Sequence, residues 1–259
     1  MAFSILPDAG LRVTLHPPPA LLSAHVETYW SLLVERPPAV VRVVPDGMVD
    51  VVFDLRARAV YVNGPRDQPA TFTHQRPAEL LGVSLRPGTS LALLGVSAAS
   101  LSLEWRPLSD AIGPVADELA RLVFAADGLP ARLSILDGFL LARIFATAAE
   151  PRVRQAVAEI VDSDGAVDVE ALGRAAGASP RNLGRLFDDW VGMPPKRFAR
   201  SVRLQAVMRR LADAPDLELA TLAQEAGYAD QAHLTREMRA LAGISPRDLA
   251  LTLSDSFKK

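Results

Sequence analysis

The spacing of apolar and polar positions changes character along the chain. Before about residue 110, short apolar runs are separated by turn sequences such as Pro45-Asp46-Gly47 and Asn63-Gly64-Pro65. Several short strands at this spacing indicate a small barrel or a sandwich. The strands are predicted over residues 26–34, 48–55, 60–62 and 80–85.

After residue 110 the apolar positions recur at helical spacing. Two stretches, 114–126 and 130–149, predict a helical pair that either forms a subunit interface or packs back on its own barrel. The chain is therefore expected to be α+β, with a β-rich first part and an all-α second part. Beyond Pro151, helices are predicted over 152–161, 169–176, 180–191, 195–211, 219–226 and 230–241, with a last short helix starting at Ser245-Pro246.

The second part contains an internal duplication. The sequence 172–177 (LGRAAG) recurs as 222–227 (LAQEAG), and each copy leads into a second short helix that ends near Gly192 or Gly243. Glycine in each turn permits positive φ, and small residues suit the place where two helices cross. The duplication predicts two helix-turn-helix motifs with recognition helices 180–191 and 230–241.

The outward faces of the two recognition helices carry the candidate base contacts. Leu183 and Leu234 face inward, which leaves mostly polar side chains outside. Arg can bind guanine bidentately and Gln can bind adenine; the alternative for Arg185 and Arg236 is a structural pair with a nearby acid. The predicted base contacts are Arg181, Asn182, Gly184, Arg185, Gln231, Ala232, His233, Thr235 and Arg236.

Charge supports this interpretation locally rather than overall. The chain of 259 residues has a net charge of −2, but residues 194–211 contain several Lys and Arg and no acid. A helix over this stretch is about 27 Å long, near the ~34 Å repeat of the major groove, so two recognition helices could enter adjacent groove segments. Alternatively, the stretch is an ordinary solvated face. The predicted phosphate contacts are Ser179, Lys196, Arg197, Arg200 and Asp230.

Composition argues against several other kinds of site. The absence of Cys removes disulfides and Cys-ligated zinc. His16, His25, His74 and His233 show no metal-ligand spacing, so neither a metal nor another cofactor is expected. There is no signal-peptide pattern and no apolar run of membrane-spanning length, which predicts a soluble cytoplasmic protein without a membrane partner.

Two other classes of function stay open from the residues alone. One is a small-molecule binding or enzymatic module whose helical part only dimerises. Asp50, Asp54 and Glu79 lie on predicted strands, but no cluster of His accompanies them, so the chain is not expected to be an enzyme. The other is an architectural DNA binder without sequence preference, which competition with random duplex DNA would distinguish.

The second copy of the motif resembles a known signature. The segment 227–236 (GYADQAHLTR), followed by 243–246 (GISP), closely resembles the signature of the AraC/XylS family of transcription regulators. With the first copy, the resemblance covers about residues 152–253. It implies a seven-helix domain over 151–259 that binds adjacent major grooves of promoter DNA, and RNA polymerase as a partner if the protein is an activator.

The first part is more weakly similar to the sensing or dimerisation domain of one uncharacterised branch of this family. The similarity lies in residues 44–53, 63–65 and 85–88. It implies a cupin-like small barrel within residues 1–150, a homodimer interface on the helices at 114–149, and a small-molecule effector. The sequence therefore predicts a sequence-specific transcription regulator controlled by its N-terminal domain.

Overall fold

The computed structural model of the chain describes residues 5–6, 11–101, 105–144 and 150–256. The described residues up to 144 form a β-rich N-terminal unit, and those from 150 form an all-helical C-terminal unit. No helix in these ranges is long and apolar enough to cross a membrane. The strands are β1 (Ile5–Leu6), β2 (Leu11–His16), β3 (Val26–Val34), β4 (Ala39–Val43), β5 (Val49–Asp54), β6 (Ala59–Asn63), β7 (Ala70–His74), β8 (Ala78–Leu85) and β9 (Arg106–Pro107).

Helices follow the strands in two groups. The N-terminal unit contains α1 (Ser90–Leu94), α2 (Leu108–Ile112), α3 (Val115–Ala125) and α4 (Gly128–Ile144). The C-terminal unit contains α5 (Pro151–Asp162), α6 (Val169–Ala175), α7 (Pro180–Val191), α8 (Pro195–Asp213), α9 (Leu219–Glu225), α10 (Gln231–Ala242) and α11 (Pro246–Ser256). These bounds agree with the helical spacing in the sequence to within two residues for α5 to α10, and α7 and α10 are marked at both ends, by a side-chain cap before them and a left-handed glycine after them.

The strands form two antiparallel sheets rather than the predicted small barrel. A six-stranded sheet has the order β2-β3-β8-β5-β6-β9, and a three-stranded sheet has the order β1-β4-β7. Between β3 and β8 the chain passes from one sheet to the other four times, and each of these connections contains a proline: Pro38, Pro45, Pro65 and Pro77 are examples. Proline cannot donate a ladder hydrogen bond. These connections therefore interrupt the pairing that would close a barrel among the described residues.

Both faces of the six-stranded sheet are covered. One face carries Trp30 and Val52, which pack with Val41 and Phe72 of the three-stranded sheet. Trp30 lies over its cross-strand neighbour Gly82, where a Cβ would be 2.0 Å from the indole. This close approach explains why the position has no side chain. The faces of the two sheets thus enclose an apolar core, as in a β-sandwich.

Helices α3 and α4 cover the other face of the six-stranded sheet. Leu119 and Leu136 are buried in one cluster with the sheet residues Val51 and Leu81. The hydroxyl of Tyr29 on β3 donates a 2.5 Å hydrogen bond to Asp137 of α4. Of the two arrangements left open by the sequence, the helical pair packs back on its own sheet. Residues 145–149, which were predicted to extend the second helix, lie outside the described residues.

Helix α8 joins two separate cores in the C-terminal unit. Its first half contributes Phe198 and Val202 to a core shared with α5, α6 and α7. Its second half contributes Leu204 and Met208 to a core shared with α9, α10 and α11. Each core belongs to one copy of the duplicated motif, so α8 is the common element between them.

The N-terminal unit packs against both halves of the C-terminal unit. Gly192, at the end of α7, has φ +77, and a Cβ there would be 2.5 Å from Pro65 and 3.1 Å from the backbone of Ala98. Gly243, at the end of α10, has φ +66, but a Cβ there would only reach ordinary contact with Arg42 at 3.8 Å. The two glycines therefore share a backbone requirement but differ in the space around them.

Replacing each of these glycines by alanine separates the two effects. Gly243→Ala should destabilise the protein by about 1–2 kcal/mol, because a residue with a Cβ resists the left-handed conformation. Gly192→Ala should cost at least ~1 kcal/mol more, because its Cβ also overpacks against the N-terminal unit. Urea unfolding followed by tryptophan fluorescence measures both losses. Equal losses would show that the contact with Pro65 and Ala98 is not tight.

Candidate nucleic-acid interface

The two copies of the motif have the same local geometry. In the first turn the Ala178 amide donates to the Gly173 carbonyl, and in the second the Tyr228 amide donates to the Ala223 carbonyl, both at 2.9 Å. Gly177 and Gly227 adopt φ of +62 and +73, as the sequence predicts for both turns.

The crossing of the two helices depends on a small residue in the first helix of each motif. A Cβ at Gly173 would lie 2.9 Å from the Ala178 carbonyl oxygen. Ala223, fifty residues later, is fully buried at the same place in the second copy. The sequence predicts Ala176 and Gly177 at this crossing, and the structure adds Gly173, one helical turn earlier.

Both recognition helices begin at a side-chain cap. The Ser179 hydroxyl accepts a hydrogen bond from the Asn182 amide at 3.3 Å, and the Asp230 carboxylate accepts one from the His233 amide at 2.6 Å. Pro180 follows Ser179 at the first helical position. The caps fix where each helix starts and leave the backbone at its N-terminus facing outward.

The outward face of α7 carries two exposed arginines among its predicted base contacts. Arg181 makes no hydrogen bond or ion pair with the described residues. Arg185 reaches Asn182 at 3.2 Å and Asp189 at 3.5 Å, and its side chain stays 66% exposed. Such exposed pairs are weak. Gly184 is partly exposed, and a Cβ there would meet nothing within 4 Å.

The outward face of α10 is more constrained. The amide of Ala229 donates to His233 Nδ1 at 3.3 Å, and the His233 ring packs edge-on against Tyr228. The Thr235 hydroxyl donates to the Gln231 carbonyl at 2.9 Å. In the neutral His233 ring, acceptance at Nδ1 places the proton on Nε2. Gln231, Ala232 and Arg236 complete the exposed surface.

The basic stretch on α8 is divided between internal and external contacts. The Arg200 guanidinium binds Glu237 of α10 through two hydrogen bonds of 2.5 and 2.8 Å, which lowers the pKa of the Glu237 carboxyl. The Arg197 guanidinium binds Asp67 of the N-terminal unit at 2.6 Å. Lys196 is exposed and makes no ion pair with the described residues. Three predicted phosphate contacts thus have three different environments.

The C-terminal end of the basic stretch is structural. Arg209 and Arg210 bind Asp164 at 2.9 and 3.5 Å, and Arg210 also reaches Glu225 at 3.3 Å. Asp164 has φ +51 and lies in the turn after α5. These pairs hold that turn and α9 against α8. The sequence gives no signal for these partners of Asp164, because they are more than forty residues away.

A polar cluster lies inside the N-terminal unit, near its contacts with the C-terminal unit. The Ser84 hydroxyl donates to the Asp50 carboxylate at 2.5 Å, and the Trp30 indole donates to it at 3.3 Å. Arg66 donates to Asn63 at 2.9 Å. Burial raises the pKa of Asp50, although the two hydrogen bonds and the charge of Arg66 act in the opposite direction. Among the described residues, no group of His, Cys, Asp or Glu is placed to hold a metal ion.

Comparison with protein-family models gives two matches along the chain. Residues 172–251 match a model described as a helix-turn-helix domain, and residues 14–103 match one described as a domain of unknown function (DUF6597). The HTH-type transcriptional regulator Rv1931c of Mycobacterium tuberculosis is 33% identical over 82 residues, which is 32% of this chain. The match spans 31% of that regulator's own length.

Comparison with solved structures gives alignments that cover different shares of the chain. A transcriptional regulator from Chromobacterium violaceum with an AraC-type DNA-binding domain aligns at 20% identity and a TM-score of 0.38, covering 40% of this chain and 93% of its own. ToxT from Vibrio cholerae aligns at 9% identity and a TM-score of 0.47, covering 97% of this chain and 99% of its own.

The cap of α10 can be tested without DNA. Asp230→Ala should lower the free energy of unfolding by about 1 kcal/mol, because it leaves the His233 amide without its acceptor. Asp230→Ser should recover most of this loss, because a hydroxyl can also cap the helix. Thermal unfolding followed by circular dichroism measures both. If Asp230→Ser were as unstable as Asp230→Ala, the carboxylate would have a role other than capping.

The buried carboxyl of Asp50 should make stability depend on pH. Its pKa in the folded protein lies above its ordinary value of 3.8. Between these two values the folded state binds more protons than the unfolded state, so stability falls as the pH rises through this window. Asp50→Asn keeps an acceptor oxygen but cannot ionise. Urea unfolding at a series of pH values should show the variant gaining stability relative to the parent as the pH rises from about 4, and parallel curves would contradict the assignment.

Proposed function

We propose that the chain, a member of the AraC/XylS family of transcription regulators, binds specific DNA sequences through α7 and α10. Each recognition helix would enter one of two adjacent major-groove segments. The proposal assigns the DNA-binding domain to residues 151–259 and a sensing or dimerisation domain to residues 1–150. The observation that carries it is the repeated geometry of the two motifs around a shared α8.

The repeated geometry supports two-site binding because it presents two similar polar surfaces on either side of one connecting helix, α8. Leu183 and Leu234 are fully buried at matching positions, so each recognition helix is held by its apolar side. Arg185 and Arg236 occupy matching outward positions. An arginine in the major groove can bind guanine bidentately. One chain would therefore read two short blocks of bases about one helical turn apart.

Within each helix, the described contacts rank the base-reading candidates. Arg181, Gln231 and Arg236 have side chains that are exposed and uncommitted among the described residues, so they can reach bases without breaking an internal bond. His233 would present the Nε2 hydrogen to a base acceptor, because Nδ1 accepts from the protein. Asn182, Gly184, Ala232 and Thr235 would line the same surfaces.

Phosphate contacts would come from the helix N-termini and from α8. Backbone amides beside Ser179 and Asp230 suit phosphate, because helix N-termini carry a partial positive charge. The Asp230 carboxylate itself would repel phosphate, so its part is to cap the helix. On α8, Lys196 is the cation available without a rearrangement. Arg197 and Arg200 would contact phosphate only after exchanging their carboxylate partners, Asp67 and Glu237.

We further propose that the N-terminal unit controls DNA binding through a small-molecule effector. The polar cluster around Asp50 supports this, because it lies beside two of the loops that touch the C-terminal unit. Asp50 lies just after the loop of residues 44–47, and Arg66 lies in the loop that carries Asp67. A ligand that changed the contacts of Asp50 or Arg66 would act on both loops. A homodimer would use α3, where Val115 and Leu122 are each 39% exposed.

Selection of genomic fragments bound by the full-length protein at physiological salt tests the proposed function. We expect enrichment of one motif made of two blocks about a helical turn apart. Equal binding of the selected fragment and random duplex DNA would instead favour an architectural protein without sequence preference. If no DNA were bound, even in the presence of a compound that a ligand screen finds to bind the N-terminal unit, the proposal would fail.

Arg185→Ala should weaken binding to the selected sequence by about 1–3 kcal/mol, because a bidentate contact with guanine would be lost. Binding to random DNA should change much less. Arg12→Ala is the matched control, since it removes the same charge from an exposed arginine on β2 that, like Arg185, forms an exposed ion pair. Fluorescence anisotropy with both DNAs at one salt concentration measures the difference. Equal losses on both DNAs would indicate a phosphate contact instead.

A further inference from the structure

The loop between β4 and β5 inserts between the two halves of the C-terminal unit. We call residues 44–47 the 44–47 loop. Val44 is 1% exposed, and its side chain belongs to the core formed by α8, α9, α10 and α11. Among the described residues of the N-terminal unit, Val44 is the one that belongs to this core. The core around the second motif is therefore completed by a residue from outside the DNA-binding unit.

The other end of the 44–47 loop lies against the core of the first motif. Gly47 has φ +75, and a Cβ there would be 2.7 Å from the ring of Phe198. Phe198 is 1% exposed and packs with Phe187 of α7. Four consecutive residues of the loop thus reach from one core to the other.

A buried hydrogen bond fixes the middle of the loop to α8. The side-chain amide of Gln205 donates to the Pro45 carbonyl at 3.0 Å, and Gln205 is 7% exposed. It lies on α8 between Phe198 and Met208, which belong to different cores. Because a buried amide without a partner is costly, this bond holds the loop in register with the helix.

Contacts at the edge of the same interface reach both recognition helices. The Ser97 hydroxyl donates to the Asp189 carbonyl of α7 at 2.9 Å, and Arg197 binds Asp67 at 2.6 Å. Arg42, which precedes the 44–47 loop, lies 3.8 Å from where a Cβ of Gly243 would be, at the end of α10. The N-terminal unit thus touches the C-terminal ends of α7 and α10, whereas their proposed base contacts lie on the outward faces and toward the N-terminal ends.

We propose that the 44–47 loop sets the angle and separation of the two recognition helices, and so determines which spacing between the two DNA blocks the protein accepts. This rests on the proposed function. The two cores have no residue in common, so α8 alone joins them along the chain, and bending or twisting of α8 would move one motif relative to the other. Each base pair added between two blocks rotates the second by roughly 35°. A protein that resists such a rotation of one motif relative to the other discriminates between spacings. Val44 and Gln205 act as positioning residues that provide this resistance.

The test uses duplexes that carry the two selected blocks at the natural spacing or with one base pair added or removed. The full-length parent should strongly prefer one spacing. In the double variant Val44→Ala with Gln205→Ala, that preference, measured as a ratio of Kd values, should fall roughly tenfold. Val52→Ala is the matched control, because Val52 is also 1% exposed but packs between the two sheets. Val44→Ile should keep the preference of the parent.

The outcomes separate this inference from the proposed function. A folded double variant that retained the spacing preference of the parent would overturn the role of the loop, and so would an equal loss of preference in Val52→Ala. If circular dichroism shows that the double variant does not fold, Val44→Thr replaces it, because threonine keeps the side-chain shape while placing a hydroxyl in the core. The ratio of Kd values between spacings is then measured with this variant. A parent that bound no two-block site at all would overturn the proposed function and the inference together.

Discussion

The structure depends on the burial of one helix in two hydrophobic cores. Phe198 and Val202 of α8 are buried with the first motif, and Leu204 and Met208 with the second. Neither motif buries its apolar face alone, because each pair of short helices has too little surface to form a core. The shared helix solves this problem for both, and it also makes the position of one motif depend on the other.

The same helix divides its positive charge between folding and binding. Arg209 and Arg210 are committed to Asp164, and Arg200 is committed to Glu237. A partly buried guanidinium with two hydrogen bonds to a carboxylate exchanges that partner less readily than an exposed one, because both charges must be solvated again. The charge that remains for DNA is therefore smaller than the basic stretch suggests, and it lies toward the start of α8 at Lys196.

The two faces of the six-stranded sheet in the N-terminal unit have different neighbours. One face packs against α3 and α4, and the other encloses an apolar core beside the Asp50 cluster. Two loops beside this cluster reach the C-terminal unit. Val44 enters a core there, and Asp67 forms an ion pair there. In the proposed function, these short, direct contacts couple the N-terminal unit to DNA binding.

The sequence by itself determined the duplicated motif, its helix ends and its inward face. These features are local: Ser179 and Asp230 cap the residues that follow them, Gly177 and Gly227 permit their turns, and apolar spacing orients each helix. The strands β3, β5, β6 and β8 were predicted from their runs of apolar residues. The strands β1, β2, β4, β7 and β9 were not predicted, because their pairing is set by partners elsewhere in the chain.

Only the tertiary structure decided the two-sheet arrangement, the partners of the arginines on α8 and the insertion of Val44. Each of these joins residues that are far apart in sequence, such as Asp67 with Arg197 or Pro45 with Gln205. No periodicity or spacing encodes such contacts, since they arise when separate elements bury their apolar faces against one another. The sequence therefore specified which surfaces could bind DNA, and long-range packing decided how those surfaces are held together.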